Sequence, residues 1–310
     1  MFSDVGMNTG GSRTLRVIAH DRFTQHGGRS GYVQVLPHLA SRAEISVVHL
    51  PLTPRGTRTA VEWWRSTGAA RGADAKLHIY PEQTLFPRIA ETPVVAVCHQ
   101  PAEHYLRRRP RSAVIRLGLA RAATVVALGP GQAQGLKILN PNVVLVPHGV
   151  DTYWFSSGDA IVDEHRYVTV HGWLRDATEQ AQLVRLARAH SGIVTEIGRD
   201  TPRLSDEEYR DTLTRCSAVL LCISTGVASN AVLEAASCAK PILGRLSPDL
   251  QSYISEANRD LLSSTLKTQL ASSMDELAHV GAENRRHIIS NHAWPHIASQ
   301  LTSLLDDVYG

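Results

Sequence analysis

Cysteine is scarce in this chain: Cys98, Cys216, Cys222 and Cys238 are the only four in 310 residues. They lie in or beside apolar runs without the close pairing of a zinc site. A disulfide framework is not expected in a chain this long, so they read as small buried hydrophobes in a reducing compartment. Long apolar runs are missing too. None approaches the ~20 residues that cross a bilayer, and the N-terminus, with Asp4 and several glycines, lacks the features of a signal peptide. The expected setting is the cytoplasm, with the protein soluble or at most peripheral at the inner membrane face. Neither sign of charge is in large excess: the net charge is +3 and the pI near 8.7, too weak a bias to imply nucleic acid. Carboxylate clusters suited to a metal are absent as well. Asp306 and Asp307 stand on a terminal amphipathic segment and read as solvated.

What remains is an ordinary globular composition, 43% hydrophobic and 20% charged. A chain of this length exceeds one hydrophobic core, so two domains of roughly 150 residues are expected. Short apolar strands alternate with helical segments throughout. In the first half, strands read at 15–19, 45–50, 77–80, 93–98, 123–128 and 143–146, with helices over 33–39, 60–66 and 111–121. In the second half, strands read at 167–171, 193–197 and 218–223, with helices over 178–190 and 205–214. This alternation implies parallel sheets covered on both faces, an α/β fold of two Rossmann-like units. A small-residue, acidic stretch, 156–164, separates them. Two such sheets facing each other put strand C-terminal ends at a cleft, where ligands bind.

The most informative segment runs from Tyr209 to Leu243. A buried strand over 218–223 leads into a small-residue loop, 224–229, and a helix carrying Glu234 in its early turns. Ser229 or Asn230 can cap that helix, and the N–H groups there, Ala231 included, form an anion site. Glu234 cannot also bind phosphate, but it can accept hydrogen bonds from vicinal hydroxyls. Loop, helix start and carboxylate together suggest a nucleoside diphosphate with its ribose. Gly27, Gly28 and Gly31, after the first strand, permit the close backbone approach that a diphosphate requires. An ordinary turn is the alternative. Arg29, Ser30 and Tyr32 could add donors to phosphate or acceptor.

Four landmarks in order carry a resemblance. They are the glycine-rich loop after the first strand, Val97-Cys-His99 after the fourth, Val146-Pro-His-Gly-Val-Asp151 with Phe155, and the Glu234 helix before Ala239-Lys-Pro241. Over nearly its whole length the chain resembles a retaining GT-B glycosyltransferase of the family-four type. The resemblance implies a GT-B fold, with residues 1–150 as acceptor domain and 151–294 as donor domain. A C-terminal helix, 295–310, would cross back to the first domain. It implies transfer of a sugar from a nucleoside-diphosphate sugar to an acceptor hydroxyl, with retention at the anomeric carbon and without metal or other cofactor. The acceptor would be a small molecule, a glycan or a lipid-linked molecule. Glu234 would be the second of the family's two glutamates spaced eight apart, the one that binds ribose. The first falls at Gly226, which has no side chain. His99 would position a substrate at the reacting sugar, and His148 would contact phosphate or acceptor, or pack the hinge. Arg175 would meet the leaving diphosphate, with Arg199 a second choice. No lysine stands at the matching place.

Two other classes compete. A non-catalytic sugar-nucleotide binder or regulatory subunit would account for Gly226 and the missing lysine. An NAD(P)-dependent oxidoreductase would use Gly129-Pro-Gly131-Gln-Ala-Gln-Gly135, a superficial dinucleotide fingerprint weakened by a short following helix and by Pro130, which lacks an N–H. Finally, Arg107, Arg108, Arg109, Arg111, Arg116 and Arg121 form a basic run, with no acidic residue between Glu103 and Asp151. Such a run is a solvated face or a peripheral contact with anionic headgroups.

Overall fold

In the computed structural model the described residues are 14–20, 31–40, 44–50, 73–79, 92–107, 110–158, 162–172, 175–190, 192–198 and 204–309. The first sheet draws on β1 (Thr14–His20), β2 (Glu44–Leu50), β3 (Ala75–His78), β4 (Val94–Cys98), β5 (Thr124–Ala127) and β6 (Val143–Leu145). A 3-10 turn, Tyr32–Val35, and α1 (Leu36–Leu39) follow β1. The expected continuous helix over 33–39 is therefore divided. Pro37 falls at the start of α1, where its missing N–H costs no bond. Then come α2 (Ala102–Leu106) and α3 (Pro110–Arg121) after β4, and α4 (Pro130–Leu136) after β5. The helix expected over 60–66 lies outside the described residues.

The second sheet holds β7 (Arg166–Val170), β8 (Ile193–Ile197), β9 (Ala218–Ile223) and β10 (Ile242–Leu246). Its helices are α5 (Ala177–Ala189), α6 (Asp206–Arg215) and α7 (Asn230–Ser237). After β10 come α8 (Pro248–Gln251), α9 (Glu256–Ser263), α10 (Leu266–Leu270), α11 (Met274–Asn291) and α12 (Trp294–Tyr309). All strand pairs are parallel, in the orders β2-β1-β3-β4-β5-β6 and β10-β9-β7-β8.

Continuous apolar runs produce this because a strand covered on both faces has no solvent side on which to place polar residues. β4 and β9 are buried at every position. α12 lays Trp294, Ile297, Leu301 and Leu305 against Leu15, Val17, Leu77 and Val97, so the last helix packs on the first sheet. Each such fully buried aliphatic side chain contributes roughly 1.5–3 kcal/mol relative to exposure.

Two glutamines hold the strand ends that face the cleft. Gln132 donates to the Cys98 and Gln100 carbonyls at 2.8 and 2.7 Å and accepts from the Leu128 N–H, tying β4 to β5. Gln180 donates to Thr169 Oγ1 and the Leu220 carbonyl and accepts from the Cys222 N–H, tying β7 to β9. With every donor and acceptor matched, each buried amide stiffens the end of its sheet.

Candidate functional site

At the start of α7, Ser229 is extended (φ −149°, ψ 117°) and its side chain makes no capping bond. Its carbonyl accepts from the Val232 and Leu233 N–H groups at 3.1 Å. No side chain caps the first turn at Asn230 and Ala231, which leaves a positive helix end at the mouth of the loop over 224–229. Glu234 is buried (8% exposed), and its Oε2 accepts a 2.7 Å hydrogen bond from the Tyr209 hydroxyl on α6. It is therefore not a solvated helix-surface glutamate. Tyr209 itself rests edge-on against Phe155, ring centroids 6.4 Å apart.

Arg175 joins this group from the end of β7, where its Nε donates to the Val170 carbonyl at 2.7 Å. Burial lowers its pKa to about 10, while Tyr209, Cys222 and Glu234 act in the opposite direction. It stays cationic at neutral pH. The acids next to it in sequence are otherwise engaged. Asp176 caps α5 by accepting from the Thr178 and Glu179 N–H groups, and Glu179 pairs with Arg245 at 2.7 Å. The structure thus brings a cation, a phenol and a carboxylate together from β7, α6 and α7. Sequence reasoning named Arg175 and Glu234 but missed Tyr209, whose place on α6 carries no signal until α6 packs beside α7.

In the first unit, His99, Tyr32, His148 and Trp294 form one aromatic cluster. The Tyr32 ring stands edge-on to His99 (5.3 Å), His148 (5.4 Å) and Trp294 (5.7 Å). Burial first, then the neighbouring His148, pushes the pKa of His99 down to about 3; burial likewise takes His148 to about 4. Both rings are neutral near pH 7, so His99 has the chemistry of a positioning group rather than a strong base. His148 is 4% exposed and its Nδ1 meets the Gly149 carbonyl at 2.8 Å, the surroundings of a hinge-packing residue. The Tyr32 hydroxyl is buried without a hydrogen-bond partner. Gly27, Gly28, Arg29, Ser30 and Arg199 lie outside the described residues.

Between the two sheets lies a cavity of about 320 Å³, bounded by Pro101–Glu103, Gly131, Gln132, the loop over 224–227 and Ser247–Asp249. Gly226 lines it with backbone alone, and its carbonyl accepts from the Ser247 hydroxyl at 2.6 Å. The glycine segment at 129–135 serves this same wall. Gly129 is the N-cap of α4 and Pro130 its first residue. The Asp249 carboxylate, from the second unit, accepts from the Gly131 and Gln132 N–H groups at 2.6 and 3.1 Å. A Cβ on Gly129 would stand 2.6 Å from Asp249 Cγ, and one on Gly131 2.9 Å from its Oδ1. The glycines admit a carboxylate, and a pyrophosphate at that helix start would meet like charge.

Asp249→Ala is expected to cost about 1–2 kcal/mol, the value of a helix cap. Gly131→Ala, whose added Cβ would meet only atoms of the Asp249 carboxylate group, should cost stability in the parent and little in the Asp249→Ala background. Additive costs in a urea-unfolding cycle would contradict the contact.

Solved structures share this architecture. HepE from Anabaena, solved in complex with UDP and glucose, matches with a TM-score of 0.71 at 10% identity, over 96% of this chain and 100% of that one. The fold is GT-B. Sucrose-phosphate synthase from Thermosynechococcus elongatus matches this GT-B chain with a TM-score of 0.71 at 12% identity, over 96% of this chain and 99% of that one. The trehalose-6-phosphate synthase OtsA matches with 0.67 at 10% identity, over 94% and 99%. No protein-family model matches the sequence, and no curated protein matches it. The cavity and the Arg175–Tyr209–Glu234 group stand at strand C-terminal ends, where open α/β sheets bind ligands.

Proposed function

We propose that the chain is a retaining glycosyltransferase of the family-four type, moving a sugar from a nucleoside-diphosphate sugar to an acceptor hydroxyl without a metal. The observation that carries the reading is the buried Tyr209–Glu234 pair beside Arg175 and the uncapped start of α7. A carboxylate fixed by a phenol can take ribose hydroxyls, and the helix N–H groups with Arg175 can take the diphosphate. Support also comes from solved GT-B structures, one of them carrying UDP and glucose.

In this reading residues 1–150 receive the acceptor and 151–294 hold the donor, while the helix from 295 to 310 joins the first domain. Negative charge develops on the departing diphosphate as the glycosidic bond breaks. Preorganised N–H groups at Asn230 and Ala231 and the Arg175 guanidinium stabilise it. The departing oxygen takes the acceptor's proton, and His99, neutral, orients a sugar hydroxyl.

The test is nucleotide binding and turnover in Glu234→Ala and Tyr209→Phe. Glu234→Ala is expected to weaken nucleoside-diphosphate affinity about tenfold or more, the loss of a charged acceptor to two hydroxyls. Tyr209→Phe should cost about 1 kcal/mol of affinity by releasing the carboxylate. Unchanged calorimetric affinity and turnover in Glu234→Ala would end the assignment. Gly226 favours one second reading, a sugar-nucleotide binder that does not transfer. Binding of a nucleotide sugar with no release of nucleoside diphosphate would select it.

A further inference from the structure

We propose that the outward face of α3, with the turn between α4 and β6, is a docking surface for an anionic lipid bilayer. The proposal stands apart from the transferase reading. Its first observation is charge. From Glu103 to Asp151 the sequence carries six arginines and one lysine with no acid between, although the whole chain is only +3; the remainder is net negative. A basic segment in an otherwise net-negative chain orients it toward an anionic surface.

Its second observation is the apolar character of the same face. Among the described side chains of α3 the exposed ones, at helical spacing, are Ala113, Leu117, Ala120 and Arg121. Three of these four are apolar. Leu117 is 50% exposed, Ile138 just past α4 is 75%, and Leu145 on the edge strand β6 is 46%. The α3 end and the α4–β6 turn are tied together. Asn140 donates to the Leu119 and Ala122 carbonyls at 2.8 Å, and Asn142 to the Ala123 carbonyl at 3.2 Å. The turn that carries Lys137 and Ile138 is thereby anchored to the C-terminal end of α3.

The structure also divides the basic run. Arg116 turns inward, donating to the Tyr105 and Arg107 carbonyls at 3.4 and 2.8 Å, so it fixes the α2–α3 corner. Arg107, Arg121 and Lys137 are exposed. Apolar side chains beside exposed cations fit the headgroup boundary of a bilayer, which solvates both. Nucleic acid would leave Leu117 and Ile138 without a partner. A symmetric contact with a second copy would set this basic face against itself. Among the described residues no helix is long and apolar enough to cross a membrane, so the contact is peripheral.

The experiment is flotation with phosphatidylcholine vesicles, with and without phosphatidylglycerol, on the full chain and three variants. Wild type is expected to float with phosphatidylglycerol vesicles, to lose binding as salt rises, and to ignore pure phosphatidylcholine. Arg121→Glu and Lys137→Glu should each weaken binding about fivefold or more, and Ile138→Asp about tenfold. All three side chains are exposed, and matching urea midpoints show that the fold is intact. Equal retention on both vesicle types, or variants that float like wild type, would overturn the proposal. So would duplex DNA binding that Arg121→Glu abolishes and Ile138→Asp spares, or a concentration-dependent dimer that Ile138→Asp dissolves.

Discussion

Arg175→Ala is expected to lower kcat by about 10²–10³-fold while affinity for the intact nucleotide sugar falls much less, because its charge meets a group that becomes more negative as the bond breaks. The geometry explains why one residue carries so much. Its Nε is fixed on the Val170 carbonyl, which leaves the fork of the guanidinium for a ligand. Burial strengthens its field, yet a pKa of about 10 keeps it charged at neutral pH. No lysine stands at the matching place, so the cation next to the loop over 224–229 has no substitute of that kind there. Arg175→Lys should recover only part of the rate, since a point charge cannot form the planar two-bond contact. Steady-state kinetics beside calorimetric affinity for the nucleotide sugar separate the two effects. An affinity for the nucleotide sugar that falls by as large a factor as kcat/KM, with kcat unchanged, would assign Arg175 to ground-state binding instead.

Much of this arrangement was legible before any coordinates. β8 and β9 lie at the expected 193–197 and 218–223; for β9 an apolar run bounded by turns needs no long-range information to become a strand. Ser205 with Asp206, Glu207 and Glu208 announces the start of α6, and the capping box between Ser205 and Glu208 forms. Order and spacing of four weak motifs carried the GT-B expectation, and Glu234 and Arg175 do come together.

The partnerships were not legible. Tyr209 and Glu234 are 25 positions apart, Asp249 and Gly131 118 apart, and pairs at such separations leave no periodic trace. Gly129-Pro-Gly131 shows the limit well. A glycine admits any close neighbour, and only the packed units reveal that the neighbour is a carboxylate. The Tyr253 hydroxyl, which accepts from the His148 N–H and donates to the Leu128 carbonyl, escaped notice for the same reason.

Acid should unfold the protein before most of its carboxylates are protonated, and the buried histidines are the cause. Burial lowers His78, His99 and His292 to about 3 and His148 to about 4. An unfolded histidine titrates near 6.5. Below that value the unfolded chain binds protons that the folded chain refuses, so unfolding becomes more favourable as pH falls. Stability is complete above about 6.5 and is lost progressively toward 3–4. Each fully refused proton costs at most about 1.4 kcal/mol per pH unit. Four of them approach roughly 5 kcal/mol per unit, against a total stability of about 5–15 kcal/mol. The cooperative fold is therefore expected to fail between about pH 4 and 5. Urea unfolding across a pH series measures the slope directly. His78→Leu should flatten it by about a quarter, since His78 is buried with Nδ1 lacking a hydrogen-bond partner. A stability that stays level from pH 7 to 5 would mean that these rings already carry charge in the folded protein. His99 and His148 are among the four, so the rings packed with Tyr32 and Trp294 take up their protons only as the fold gives way.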